Sequence, residues 1–157
     1  MQKIKPCLWF DGNAEEAMTF YMAVFKDSQL VHAIRCGEAG PGPQGALLGA
    51  TFRLAGQEIM VLNGGPQFHF TPAISLFVTC ETQAEIDDYW DKLLAGGKPQ
   101  QCGWLTDRYG VSWQIVPRVL GELLQGKDAA KSQRAMRAMM QMIKLDIATL
   151  QKAYDGR

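Results

Sequence analysis

The strongest constraint on the fold is an internal repeat. The segments "AEEAMTFYMAVF" and "QAEIDDYWDKLL" align without gaps at an offset of about 69 residues, so that Glu16 meets Glu85 and Tyr21 meets Trp90. Each segment has the apolar spacing of an amphipathic helix and follows a short apolar strand. Half a chain of about 60 residues cannot close a core well, whereas two packed halves can. The repeat therefore predicts an α+β fold in which two βαβββ modules form a cleft between curved sheets.

Turn signals and apolar alternation place the elements of each module. Breaks rich in Gly and Pro separate the strands, and Asn13 and Thr82 are predicted to cap the two helices. The predicted strands lie at 4–10, 28–36, 46–63 (two strands), 73–80 and 102–117 (a turn flanked by strands). We expect a single domain over 1–157, with module one at about 1–65, module two at about 70–117 and a helical tail at 118–157.

The tail has a different pattern from the modules. No Gly or Pro occurs from Ala129 to Asp155, which predicts one long amphipathic helix. Its apolar stripe consists of Met136, Met139, Met140, Ile143, Ile147, Leu150 and Tyr154. Methionines adapt to irregular surfaces, so they are predicted to pack on the body of the chain or on a partner. This helix is the first candidate for a subunit contact in a homodimer.

Charge and cysteine usage restrict the possible partners. Sixteen basic and sixteen acidic residues balance, which gives no electrostatic footprint for nucleic acid or an anionic membrane. The four cysteines have no C-x-x-C spacing, so a zinc knuckle or a thioredoxin-type site is not expected. The start "MQKIKPCLWFDG" lacks the apolar run of a signal peptide, and no stretch approaches a membrane span. We expect a cytoplasmic protein with free thiols.

Four segments carry a resemblance to a known family: "PCLWFDGNAEEAMTFY", "AISLFV", "AEIDDYWDKLLAGG" and "CGWLTDRYGVSWQIVP". They resemble the PhnB-like branch of the vicinal oxygen chelate superfamily, a branch that also carries the label 3-demethylubiquinone-9 3-methyltransferase domain. The superfamily includes glyoxalase I, bleomycin- and fosfomycin-resistance proteins and extradiol dioxygenases. The resemblance covers residues 3 to about 117, and the tail is similar too. It implies paired βαβββ modules around a cleft, usually in homodimers.

The resemblance also implies where a divalent metal would bind. In the superfamily, His and Glu ligands come from the first and last strands of each module. The matching positions here are Gln114, Met60, Ala73 and, because the register of the first strand is open, Lys5, Pro6 or Cys7. Only Cys7 is a strong donor, and a neutral amide, a thioether and a methyl group do not hold such an ion. We therefore expect neither a metal nor another cofactor.

Gln114 is the central polar residue of the last predicted strand, where it alternates with apolar neighbours. It lies either on a solvated face or in the cleft, where its amide would orient a ligand by hydrogen bonds. In the second case the predicted cleft is lined by Cys7, Trp9, Met60, Ser112 and Gln114. The ligand would be a small, partly aromatic or amphipathic molecule, uncharged or weakly polar. No catalytic residue is identified.

The two alternative functions are a metal-dependent lyase or dioxygenase and a methyltransferase. A metal-dependent lyase or dioxygenase would need donors from Cys7, from His69 or from a partner subunit. Methyl transfer is not expected, because nucleotide-type methyl donors usually bind a Gly-rich loop that leads into a helix, and "NGGPQ" leads into "FHF". His32 and His69 lack metal-ligand spacing and are predicted to be structural or exposed, whereas Asp107 is predicted to cap a turn.

Overall fold

The computed structural model describes residues 2–157. Met1, which opens the predicted first module, lies outside the described residues. The chain forms two compact units, the first ending at His69 and the second beginning at Phe70. No helix in the described part of the chain is long and apolar enough to cross a membrane.

The first unit contains one helix and one four-stranded sheet, sheet A. In chain order its elements are β1 (Cys7–Phe10), α1 (Ala14–Val24), β2 (Ser28–Arg35), β3 (Leu47–Leu54) and β4 (Gln57–Asn63). The strand order is β1-β4-β3-β2, in which β1 is parallel to β4 and the other pairs are antiparallel. This is the predicted βαβββ order.

The second unit repeats that order in sheet B and adds the tail. Its elements are β5 (Ser75–Cys80), α2 (Gln83–Leu94), β6 (Lys98–Pro99), β7 (Trp104–Thr106) and β8 (Ser112–Pro117). The strand order β5-β8-β7-β6 matches that of sheet A, again with the first strand parallel to the last. The paired-module α+β fold is thus confirmed. The two-residue β6 was not predicted, because it is too short to show alternation.

The two helices begin with different caps. Thr82 caps α2 as predicted, since its hydroxyl accepts a hydrogen bond from the Glu85 amide at 3.2 Å. Asn13 is the N-cap residue of α1, as predicted, but its side chain makes no capping hydrogen bond. The Asn63 side chain, distant in sequence, accepts instead from the Ala14 amide at 3.0 Å. Asn13 has φ −111° and ψ 21°, not the extended backbone that usually lets an N-cap side chain reach back.

Each helix covers one face of its own sheet. In the first unit the apolar residues of alternating strand positions are buried on the side of α1, together with Ala14, Ala17, Met18, Tyr21 and Val24 of the helix. In the second unit Trp113, Ile115 and Leu105 are buried on the side of α2. Because side chains alternate along a strand, the remaining positions define a second face on each sheet. We call these the open face of sheet A and the open face of sheet B.

The tail is not one long helix, which corrects the prediction. It forms α3 (Arg118–Leu124), α4 (Ala129–Met140) and α5 (Ile147–Asp155). The carbonyls of Met142 and Ile143 accept hydrogen bonds from the amides of Cys102 and Gly103 rather than from a following helical turn. Asp146 then starts a new helix, since its carboxylate accepts from the Thr149 amide at 2.7 Å.

The tail has an apolar core of its own within the second unit. Its buried members are Val116, Leu120, Leu123, Ala135, Leu145 and Leu150. Met139 and Met142 pack against this cluster, which confirms the packing role predicted for tail methionines. Met140 and Ile143 stay exposed.

Candidate functional site

The open face of sheet B carries neutral hydrogen-bonding groups between two aromatic rings. Gln114 of β8 lies between Phe77 of β5 and Trp104 of β7 in the sheet register. Its side-chain amide donates to the Ser75 hydroxyl at 2.9 Å. Phe77 is 57% exposed, although it lies in a strand. A planar molecule with a neutral polar group would find both an apolar surface and hydrogen-bond partners here.

Ser112 adds a second hydroxyl to this face. It lies two residues before Gln114, between Ser75 and Thr106 in the register. Its Oγ atom is buried and makes no hydrogen bond within the described residues. A buried hydroxyl without a partner is unfavourable by about 1–3 kcal/mol. This free hydrogen-bonding capacity next to Gln114 favours a polar ligand or an ordered water at this position.

A buried carboxylate fixes which way Gln114 points. Asp107 accepts hydrogen bonds from the amides of Tyr109 and Val111 at 2.9 and 3.0 Å, and from the Trp113 indole at 2.8 Å. These bonds close the turn before β8 and hold Trp113 in the core. Because adjacent residues of a strand face opposite sides, Gln114 is directed to the open face. The prediction that Asp107 caps a turn is confirmed.

The open face of sheet A carries sulfur and aromatic groups. Cys7 lies beside Met60, and Trp9 lies beside Leu62, in the parallel register of β1 and β4. The Trp9 indole donates to the Gly65 carbonyl at 2.9 Å, and Phe68 meets it edge-on with 5.0 Å between ring centroids. The three predicted residues Cys7, Trp9 and Met60 therefore share one face.

The close approach of Trp9 to the chain depends on a glycine. A Cβ atom placed on Gly64 would lie well inside the contact distance of carbons of the Trp9 indole ring. Real Cβ contacts are not that short, so any larger residue at this position would displace Trp9. The first Gly of "NGGPQ" thus serves aromatic packing.

The same face also carries charges that the sequence analysis missed. Glu58 accepts a hydrogen bond from Arg53 at 3.0 Å, and its second carboxylate oxygen lies 3.1 Å from the Lys5 ammonium. The Glu58 side chain is only 7% exposed. The Lys5 ammonium, followed by the Arg53 guanidinium, lowers the pKa of Glu58. A signal was present: in "FRLAGQEIM" the Arg and Glu stand symmetrically about the turn and pair across the hairpin.

The positions implied for a metal do not form a suitable donor set. The register places Cys7 beside Met60 and Phe77 beside Gln114. The predicted position Ala73 is wrong, because that residue precedes β5 in a turn where its amide donates to the Thr71 hydroxyl. Burial raises the pKa of the Cys7 thiol above its ordinary value of 9.0, which disfavours the thiolate that binds metals. A thiol, a thioether, a phenyl ring and an amide do not fit the His and Glu site of the superfamily.

Other potential ligands lie apart from these positions. His32 and His69 are both exposed. In residues 2–157, no three His, Cys, Asp or Glu side chains are grouped so that they could hold a metal ion. Of the predicted lining residues, Cys7, Trp9 and Met60 lie in the first unit, whereas Ser112 and Gln114 lie in the second. That both sets line one cleft stays a prediction.

Comparison with known proteins gives the family. Residues 2–116 match the 3-demethylubiquinone-9 3-methyltransferase family. A Bacillus cereus structure described as a 3-demethylubiquinone-9 3-methyltransferase, PhnB protein, is 45% identical, with a TM-score of 0.69 over 74% of this chain and 99% of that one. No curated protein matches the chain.

More distant structures share the fold. The protein PA1353 from Pseudomonas aeruginosa is 23% identical, with a TM-score of 0.61 over 74% of this chain and 96% of that one. The fosfomycin resistance protein FosX from Listeria monocytogenes, solved with Mn(II) and sulfate, is 14% identical, with a TM-score of 0.52 over 72% of this chain and 90% of that one. The chain therefore belongs to the PhnB-like, or 3-demethylubiquinone-9 3-methyltransferase, family.

Proposed function

We propose that this protein binds a small, partly aromatic molecule without the metal ion that is usual in its superfamily. The observation that carries the proposal is the open face of sheet B, where the Gln114 amide bonded to Ser75 lies between Phe77 and Trp104. Aromatic walls beside a few placed polar groups are typical of small-molecule sites. The proposed lining is that predicted from the sequence: Cys7, Trp9, Met60, Ser112 and Gln114.

The first experiment is a thermal-shift screen with neutral aromatic amides and phenols. A compound that binds the native state at a concentration of 100 times its Kd stabilises the protein by about 2.7 kcal/mol. We expect Gln114→Ala to abolish the shift, because the orienting amide is lost. Gln133→Ala is the matched control, since Gln133 is exposed on α4. A library without a single stabilising compound would refute the binding of a neutral aromatic ligand at the open face of sheet B.

The second experiment tests the metal. We expect purified protein to show no stoichiometric metal on elemental analysis, and no saturable binding of Mn(II), Ni(II), Zn(II) or Fe(II). FosX was solved with Mn(II), so a glyoxalase-like or dioxygenase-like enzyme with donors from Cys7, His69 or a partner subunit is the alternative. Stoichiometric metal, with lyase or oxygenase turnover, would establish that alternative. Gln114→Glu places a carboxylate at the implied ligand position and is expected to give at most weak binding.

Four further predictions belong to this proposal. The two units form one domain over residues 1–157, and the protein is cytoplasmic, does not bind nucleic acid and forms a homodimer. Met140 and Ile143 are exposed apolar residues of the tail, which supports the tail as the subunit contact. Light scattering of the wild type and of Met140→Glu tests this, because a dimer through the tail should dissociate when a charge enters its contact.

A further inference from the structure

The open face of sheet A changes from charged to apolar along its strands. On β1 and the residues before it, Lys5, Cys7 and Trp9 follow one another at every second position. On β4 the sequence is Glu58, Met60, Leu62. At about 3.3 Å per residue, Lys5 and Trp9 are separated by roughly 13 Å. One end of this face is therefore ionic, the middle carries sulfur and the other end is aromatic.

The ionic end has an excess of positive charge. Two cations, Lys5 and Arg53, surround one carboxylate, Glu58. Glu58 is nearly inaccessible, whereas the side chains of Lys5 and Arg53 are 21% and 41% exposed. Within the described residues Arg53 donates one N–H to Glu58, which leaves its other N–H groups to bind a second oxyanion. The buried carboxylate thus holds a guanidinium and an ammonium in place for an external anion.

The aromatic end offers an apolar surface of defined shape. Trp9 is fixed by its bond to Gly65, and Phe68 meets its ring edge-on. Phe68 is 65% exposed, and Leu62 lies beside Trp9 in the sheet. An aromatic ring would gain edge or offset contacts here that an alkyl chain lacks.

We infer that this face binds an amphipathic aryl carboxylate, with its carboxylate at Lys5 and Arg53 and its ring at Trp9 and Phe68. Arg recognises a carboxylate through two parallel N–H bonds, and the roughly 13 Å between the ends sets the length of the molecule. Met60, half exposed between the two ends, can adjust to the linking chain. The inference rests on the proposed small-molecule binding and differs from the uncharged or weakly polar ligand that the sequence predicts.

The test is isothermal titration of the full chain with 8-phenyloctanoate, its primary amide and decanoate. We expect the acid to bind at least about tenfold more tightly than the amide, because charge-assisted hydrogen bonds are lost in the amide. Decanoate should bind more weakly than the aryl acid. Binding should also shift the NMR signal of the Trp9 indole N–H.

Matched variants locate the charge. Arg53→Gln removes the excess positive charge and leaves Glu58 paired with Lys5, and Lys5→Gln does the same while leaving Glu58 paired with Arg53. Both should bind acid and amide equally, whereas Arg137→Gln, an exposed residue of α4, and Lys3→Gln should behave as wild type. Equal affinity of the wild type for acid and amide, or full acid affinity in both single variants, overturns the carboxylate assignment but leaves the proposed function intact. Decanoate binding as tightly as the aryl acid overturns the aromatic part.

Discussion

The two units share a backbone plan but differ in the chemistry of their open faces. In sheet A the positions beside and before Met60 carry the ions Lys5, Glu58 and Arg53. In sheet B the corresponding positions around Gln114 carry the neutral hydroxyls of Ser75 and Ser112. The strand order and alternation decide which positions face outward, since they are properties of the backbone. What those positions bind is decided residue by residue, which is why fold alone does not give function.

The units also differ in what closes the end of each open face. Leu62 and Val116 are equivalent in the repeat, each two residues after Met60 and Gln114. Near Leu62 the loop after β4 brings Gly64 and Phe68 onto Trp9. Val116 instead enters the apolar core of the tail. The tail lies beyond the residues matched by the family. It closes the end of the open face in the second unit, whereas a short loop closes it in the first.

The largest expected effect tests how much the stability of the second unit depends on the tail. Leu145 is fully buried beside Gly103, so Leu145→Ala should lower the free energy of unfolding by about 3–4 kcal/mol. Urea denaturation measures this loss in the free energy of unfolding. Gln133→Ala is the control, because Gln133 is exposed on α4 and its truncation should change stability by less than about 0.5 kcal/mol. Equal effects would show that the tail does not pack as described.

The second prediction concerns the turn that orients Gln114. Asp107→Ala leaves two backbone amides and the Trp113 indole without their acceptor, at a cost of about 2–3 kcal/mol. Asp107→Asn keeps one acceptor oxygen and should cost less. Near-UV circular dichroism should report the loosened Trp113. If both variants were as stable as wild type, Asp107 would not position this strand.

The third prediction concerns the packing of Trp9 on Gly64 in the first unit. Gly64→Ala forces Trp9 away from the chain and should cost about 1–3 kcal/mol, with a change in tryptophan fluorescence. Gly121→Ala is the control, because a Cβ atom there meets nothing and alanine favours the helix by about 1 kcal/mol. A Gly64→Ala protein with native stability and fluorescence would contradict the packing of Trp9 on Gly64.

The sequence predicts what is local and periodic, and misses what is paired at a distance. Alternation placed Gln114 and Met60 at equivalent positions, and the capping pattern placed the start of α2 at Thr82. The side-chain acceptor for the first amide of α1 could not be found, because Asn63 reaches it from the other end of the unit. The break in the tail had a local signal, Asp146 three residues before Thr149, but the apolar spacing continues through it. The ionic cluster was missed because Lys5 precedes the strand and meets Glu58 only in the folded sheet.

The smallest expected effect is a difference between the two open faces in how the stability of their variants depends on pH. The pKa of Glu58 in the folded protein is lowered from its ordinary value of 4.5, chiefly by Lys5 and then by Arg53. A carboxylate with a lowered pKa stabilises the fold fully above its ordinary pKa, and this contribution is lost as the pH falls through the lower folded value. Between wild type and Glu58→Gln, the difference in stability should therefore shrink below about pH 4.5. Because the open face of sheet B has no ionised side chain at Ser75, Ser112 or Gln114, Gln114→Ala should differ from wild type by the same amount at every pH. A pH-dependent effect of Gln114→Ala would show that the neutral face is coupled to a charge, and would remove the distinction between the two faces.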